Sequence, residues 1–108
     1  MNTTAKAWTN GILGTWLFIA AFLNFSPSGN MWDNLVVGIV VAIIGFAMIK
    51  EKAWQGWTAG IFGLWLVIAA FIPSLQQNTA NMWNDLISGI IIAIAGYGAL
   101  GGETKTES

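Results

Sequence analysis

Charge spacing is the feature that most limits what this chain can become. Between Lys6 and Asp33 there is no charged side chain, and the same holds from Asp33 to Lys50, from Lys52 to Asp85 and from Asp85 to Glu103. A bilayer core of ~30 Å takes about 20 apolar residues of helix, and each interval has room for one such helix. A soluble domain carries about 25% charged residues, whereas this chain has 8% charged and 56% hydrophobic residues. A soluble fold of 108 residues exposes too much of its surface to hide that much apolar area. The spacing therefore predicts an all-α membrane protein with four transmembrane helices.

The chain is also an internal duplication. Residues 8–22 and 57–71 share eleven of fifteen positions, among them Trp8/Trp57, Gly11/Gly60, Gly14/Gly63 and Trp16/Trp65. Residues 30–46 and 81–97 share nine of seventeen, among them Asn30/Asn81, Trp32/Trp83, Gly38/Gly89, Ala42/Ala93 and Gly45/Gly96. The offset grows by two between the blocks, which places an insertion in the connection, where loops tolerate it. Each copy thus reads as helix, loop, helix. The predicted helices run over about 7–25 and 31–50 in repeat one (1–50), and about 53–72 and 82–100 in repeat two (51–108), with a short polar C-terminal tail. The run from Trp8 to Phe25 has a copy deep in the chain, so it reads as a retained helix rather than a cleaved leader.

Two helices per copy return the chain to its starting side before the second copy begins. The hairpins are then parallel, related by a pseudo-twofold axis along the membrane normal, and form a small bundle. Lys6, Lys50, Lys52 and Lys105 all fall on the side holding the termini and the central turn. The positive-inside rule places that side in the cytoplasm. Trp8, Trp54 and Trp57 mark one membrane interface, and Trp32 and Trp83 mark the other, as aromatic belts do.

Residue types exclude much chemistry. The chain has no cysteine and no histidine, which removes thiolate catalysis, most metal sites and the usual general base. No lysine is placed to activate Ser88, the one serine inside a predicted helix. No basic patch favours nucleic acid. The expectation is a protein that is not an enzyme, with no cofactor and no metal.

What remains are packing, capping and a weak pocket. Gly38, Ala42 and Gly45, like Gly89, Ala93 and Gly96, form small-residue faces that let helices approach closely, and Gly11, Gly14, Gly60 and Gly63 suit the other two helices. Trp16 and Trp65 lie ~12 Å deeper than the interfacial tryptophans. They read as core aromatics whose indoles bond a carbonyl, Thr15 or Asn24, or as the walls of a pocket near the pseudo-twofold. Asn30 and Asn81 suit helix N-caps, with Asp33 and Asp85 favouring the helix dipole. The same residues would otherwise form a carboxylate site at a pore mouth. Asp33 aligns with Asn84 and not with Asp85, which breaks the symmetry of a carboxylate pair and favours capping.

The segment Gly14-Thr15-Trp16-Leu17-Phe18-Ile19, followed by Trp32, Asp33-Asn34 and Gly38, resembles the SPW-repeat family of small prokaryotic membrane proteins. Where that family carries its Ser-Pro-Trp triplet, this chain has Ala20-Ala21-Phe22 and Ala69-Ala70-Phe71. The resemblance implies a bundle of two-helix repeats in a prokaryotic inner or plasma membrane, and implies no particular activity.

The expected function is that of a non-catalytic structural or accessory subunit of a membrane assembly, within a homo-oligomer or a larger complex. One alternative is an oligomeric channel or facilitator for a small solute, lined by Asn10, Thr15, Asn24, Ser88, Asp33 and Asp85. The other is binding of a lipid, quinone or carotenoid between Trp16 and Trp65.

Overall fold

Asn2 starts the first helix. Its backbone is extended, and its side-chain oxygen accepts from the Ala5 N–H at 2.7 Å, so one orphan donor of the first turn is satisfied. The computed structural model describes residues 2–23, 27–72 and 78–101. Within them the chain forms four helices: α1 (Thr3–Ala20), α2 (Pro27–Ala47), α3 (Ala53–Ala70) and α4 (Asn78–Gly101).

Three helices begin earlier than the apolar pattern predicts. α1 begins at Thr3 and not at 7, because Asn2 caps it, and it ends at Ala20 and not at 25. α2 begins at Pro27 and not at 31. Proline has no N–H to lose at the first helical position, and its fixed φ is already helical. α4 begins at Asn78 and not at 82; the stretch Asn78-Thr79-Ala80 holds no glycine or proline to delay it. α3 stops at Ala70, two residues before the position preceding Pro73, which cannot continue a helix.

Three helical stretches are long and apolar enough to cross a membrane: Ser28–Ala47, Ala53–Ala70 and Thr79–Leu100. α1 is not among them. Thr3, Thr4, Lys6, Thr9 and Asn10 in its first half hold its hydropathy down. The described residues span 47 × 20 × 19 Å.

The helices pair across the repeats. α1 packs chiefly on α4, and α2 on α3, while α1–α2 and α3–α4 meet over much less of their length. The two hairpins therefore interlock instead of forming two self-contained units. α2 and α3 are joined by the short turn at 48–52, where the Lys52 N–H reaches the Met48 carbonyl at 2.8 Å. At the same end, Lys6 Nζ of α1 donates to the Ala47 carbonyl of α2 at 3.4 Å, satisfying an orphan acceptor at a helix C-terminus.

Glycine makes the tight pairs possible. A Cβ on Gly96 would lie 2.7 Å from Gly11 Cα, one on Gly14 2.8 Å from Ala93 Cα, and one on Gly89 2.6 Å from Phe18 N. The α2–α3 pair repeats this, with Gly63 at 2.7 Å from Ala42 Cα, Gly45 at 2.5 Å from Gly60 N and Gly38 at 2.8 Å from the Gly63 carbonyl. The ring of Tyr97 covers Gly11, and the ring of Phe46 covers Gly60. Trp8 stands edge-on to Tyr97, and Trp57 to Phe46, each at 5.9 Å between centroids.

Much of what the bundle hides is small or polar. Its apolar core is Leu17, Val37, Val41, Ala59, Leu66, Ile92 and Ala95, with Ala7, Met48 and Ala99 clustered at the end near Lys6. The large apolar side chains point outward. Ile43, Phe71, Ile94, Ile12 and Trp32 are all more than half exposed. A soluble fold reverses this distribution, and lipid as solvent permits it.

Candidate functional site

Near the starts of α2 and α4 the duplicated polar segments make a layer through the bundle, in two shells. The outer shell holds the deep tryptophans. Trp16 Nε1 donates to Asp33 Oδ1 at 2.8 Å, and Trp65 Nε1 donates to Asn84 Oδ1 at 2.6 Å. These partners are side chains of the neighbouring helix, where the sequence suggests a carbonyl, Thr15 or Asn24. Thr15 instead bonds the Gly11 carbonyl at 2.9 Å and the Tyr97 hydroxyl at 2.9 Å, and Asn24 lies outside the described residues. Each indole bond joins the two helices of one repeat, α1 to α2 or α3 to α4, which meet over much less of their length than the seams across repeats.

These bonds explain the exchanged acid and amide. Asp33 and Asn84 occupy equivalent positions, and each has to offer one oxygen to an indole N–H. A carboxylate and a carboxamide do so equally well.

The inner shell comes from the next positions. Asn30 and Asn34 on α2 and their equivalents Asn81 and Asp85 on α4 are all buried, with Asn34 at 0% and Asp85 at 1% exposure. Asn34 Nδ2 donates to Asn81 Oδ1 at 3.2 Å across the bundle, and Asn81 Nδ2 donates to Asp85 Oδ2 at 3.1 Å. Ser88, one turn further along α4, is buried too. Among the described residues no hydrogen-bond partner reaches Asp85 Oδ1, Asp33 Oδ2 or Asn84 Nδ2, although all three atoms are buried.

The capping reading is therefore corrected. α2 and α4 begin at Pro27 and Asn78, so Asn30 and Asn81 sit beyond the first three helical residues, and Asp33 and Asp85 lie about two turns inside. No acid occupies the first turn of either helix. The extra turns at the helix starts carry these residues from the cap into the bundle.

The other sequence candidates are dispersed. Asn10 is buried at the opposite end, where its Nδ2 lies 4.0 Å from Met48 Sδ. The polar positions Asn10, Thr15, Asp33, Asp85 and Ser88 do not form one stripe. Trp16 and Trp65 are 37% and 38% exposed, so they stand at the outer surface rather than walling a shared central pocket. A groove of about 400 Å³ does lie beside Trp65, lined also by Phe62, Trp83, Asn84, Ile87 and Ser88. Trp8, Trp32, Trp54, Trp57 and Trp83 are each at least half exposed. Among the described residues no group of three or more acids, histidines or cysteines could hold a metal.

No curated protein and no solved structure matches this chain. The family model described as SPW repeat domain matches residues 4–99. That match covers both copies and every residue of the polar layer, and the chain belongs to the SPW-repeat family.

Proposed function

We propose that this protein crosses the membrane four times, with both termini in the cytoplasm, and serves as a non-catalytic structural or accessory subunit of a membrane assembly. One observation carries the reading: most of the large apolar side chains face outward, around a core of small residues, a few aliphatics and polar side chains. The least apolar helix, α1, crosses with the others because α4 packs along it and covers Asn10, Gly11 and Gly14. The lysines set the orientation. An outer face of this size, carrying tryptophan and isoleucine on every helix, suits contact with lipid and with other membrane helices.

Two experiments test it. Cysteines placed at Ser28 and Gln77 are expected to react with an impermeant label from outside the cell, and one at Ser108 only from inside; the reverse pattern refutes the orientation. Tagged protein purified from native membranes in mild detergent is expected to bring larger subunits in fixed ratio, read by native mass. Recovery as a lone homo-oligomer refutes the accessory role.

A second reading has its own support. The groove beside Trp65 is apolar along its length and carries Asn84 and Ser88, which fits a neutral amphiphile such as a lipid or quinone. An absorption spectrum and lipid extraction of the same preparation would identify such an occupant.

A further inference from the structure

The inner shell of the polar layer holds an acid that no described cation pairs. Asp85 is 1% exposed, and its Oδ1 has no hydrogen-bond partner among the described residues. The side chains around it are carboxamides: Asn81 bonds its other oxygen, and Asn34 bonds Asn81. None of these is a cation. The described lysines Lys6, Lys50 and Lys52 lie at the opposite end of the bundle; Ala47, where α2 ends before Lys50, is 13 residues beyond Asn34, or ~20 Å at 1.5 Å per residue of helix. The other acid of the layer, Asp33, acts on Asp85 with a charge of the same sign. An uncompensated carboxylate in a membrane interior is costly, and such residues pair, neutralise or mark ion sites.

We propose that the inner shell binds one small monovalent cation, Na⁺ in the first instance, between Asp85 Oδ1 and the carboxamide oxygens of Asn34 and Asn81. The ligand set is hard oxygen, which suits alkali and alkaline-earth ions and not transition metals. Its charge count selects a monovalent ion, because one carboxylate neutralises one charge. Asp33, the other described acid of the layer, gives its Oδ1 to Trp16 and belongs to the outer shell, outside the proposed ligand set. The pseudo-twofold also explains why a single acid suffices. Asn34 and Asp85 occupy equivalent positions on facing helices, and an acid at both would leave the site with a net charge. The competing occupant is a proton on Asp85, which would leave the layer a purely structural hydrogen-bond network.

The test is thermal unfolding of the purified full-length protein in detergent, followed by tryptophan fluorescence, in NaCl, KCl and choline chloride at equal ionic strength. Wild type is expected to gain at least about 5 °C in Tm with NaCl over choline chloride, saturating with concentration as a bound ligand requires. Asp85→Asn, which copies Asn34 at the equivalent position, is expected to show one Tm in all three salts. Asp33→Asn is expected to keep the NaCl response. A wild type indifferent to NaCl overturns the proposal in favour of the proton, and a response that survives in Asp85→Asn overturns it in favour of a site elsewhere. Should Asp85→Asn fail to fold, Asn34→Asp decides: a second acid is expected to lower the NaCl concentration at half-effect, and an unchanged midpoint refutes the site.

Discussion

Adding one methyl group to the α1–α4 seam should loosen the bundle. In Gly14→Ala the new Cβ would lie 2.8 Å from Ala93 Cα and from the Gly89 carbonyl oxygen, whereas ordinary contact begins at 3.4 Å. All of these are backbone atoms, and the Ala93 nitrogen lies closer still, so no side chain can rotate away and the helices must part by about 1 Å. A gap of about that size forfeits a quarter to a half of each dispersion contact along the seam. Overpacking of this kind costs about 1–3 kcal/mol, offset in part by the ~1 kcal/mol by which alanine exceeds glycine as a helix former. Gly63→Ala meets Ala42 Cα at 2.7 Å in the copied α2–α3 seam and should lose a similar amount. Gly98→Ala is the control. Its Cβ meets nothing closer than the Trp54 ring at 3.4 Å, so it should be neutral or stabilising by up to ~1 kcal/mol. Reversible unfolding in mixed micelles against the mole fraction of sodium dodecyl sulfate, read by tryptophan fluorescence, would rank the three variants. Equal stability of Gly14→Ala and wild type would refute the close-contact account, as would equal destabilisation by Gly98→Ala.

Three further outcomes follow from the same geometry. Fragments 1–50 and 51–108, co-expressed, should purify as a one-to-one complex, because both tight seams cross the cut; fragments that each fold as stable monomers would refute the interlock. Asp33→Asn should keep the Trp16 bond, since Asn84 holds Trp65 in the same way, while Asp33→Leu should cost about 1–3 kcal/mol in the same unfolding assay; equal effects of the two would show that the bond contributes nothing. Thr15→Leu alone leaves the Tyr97 hydroxyl without its partner and should cost about 1 kcal/mol. Adding Tyr97→Phe should recover most of that loss, because the equivalent positions in the α2–α3 seam are already Leu64 and Phe46; no recovery would refute the coupling.

The four-helix plan was legible because both of its signals are local. Charge-free intervals can be counted, and a duplicated block can be aligned. Helix starts were less legible. Periodicity begins with the apolar residues, whereas α2 and α4 open with Pro27-Ser28-Gly29 and Asn78-Thr79-Ala80, which read as loop. That error of one turn misplaced the chemistry, because it left Asn30 and Asn81 at the cap and hid the polar layer. The indole partners were beyond sequence reasoning for a different reason. Asp33 is 17 residues from Trp16, and only the packing of α1 beside α2 sets which faces meet. The alignment of Asp33 with Asn84 did carry the signal, as two oxygen acceptors at one position, but without a donor in view it suggested only broken symmetry. The pairing across repeats was equally hidden. Both copies present the same small-residue faces, and nothing in one helix says which of two similar neighbours will fill its grooves.

The seam between α1 and α4 also sets a schedule for biogenesis. α1 is made before the other three helices and is the least apolar of them, yet the surface that shields Asn10 and its glycines belongs to α4. Between Ala20 and Asn78 lie nearly sixty residues, about 3–12 s of synthesis at roughly 5–20 residues per second. If α1 crosses with the others, as proposed, it waits through that interval for its partner, and the bundle closes only once α4 has been made. A chain truncated before α4 leaves α1 unpartnered, which gives membrane quality control a simple signal that the protein is unfinished.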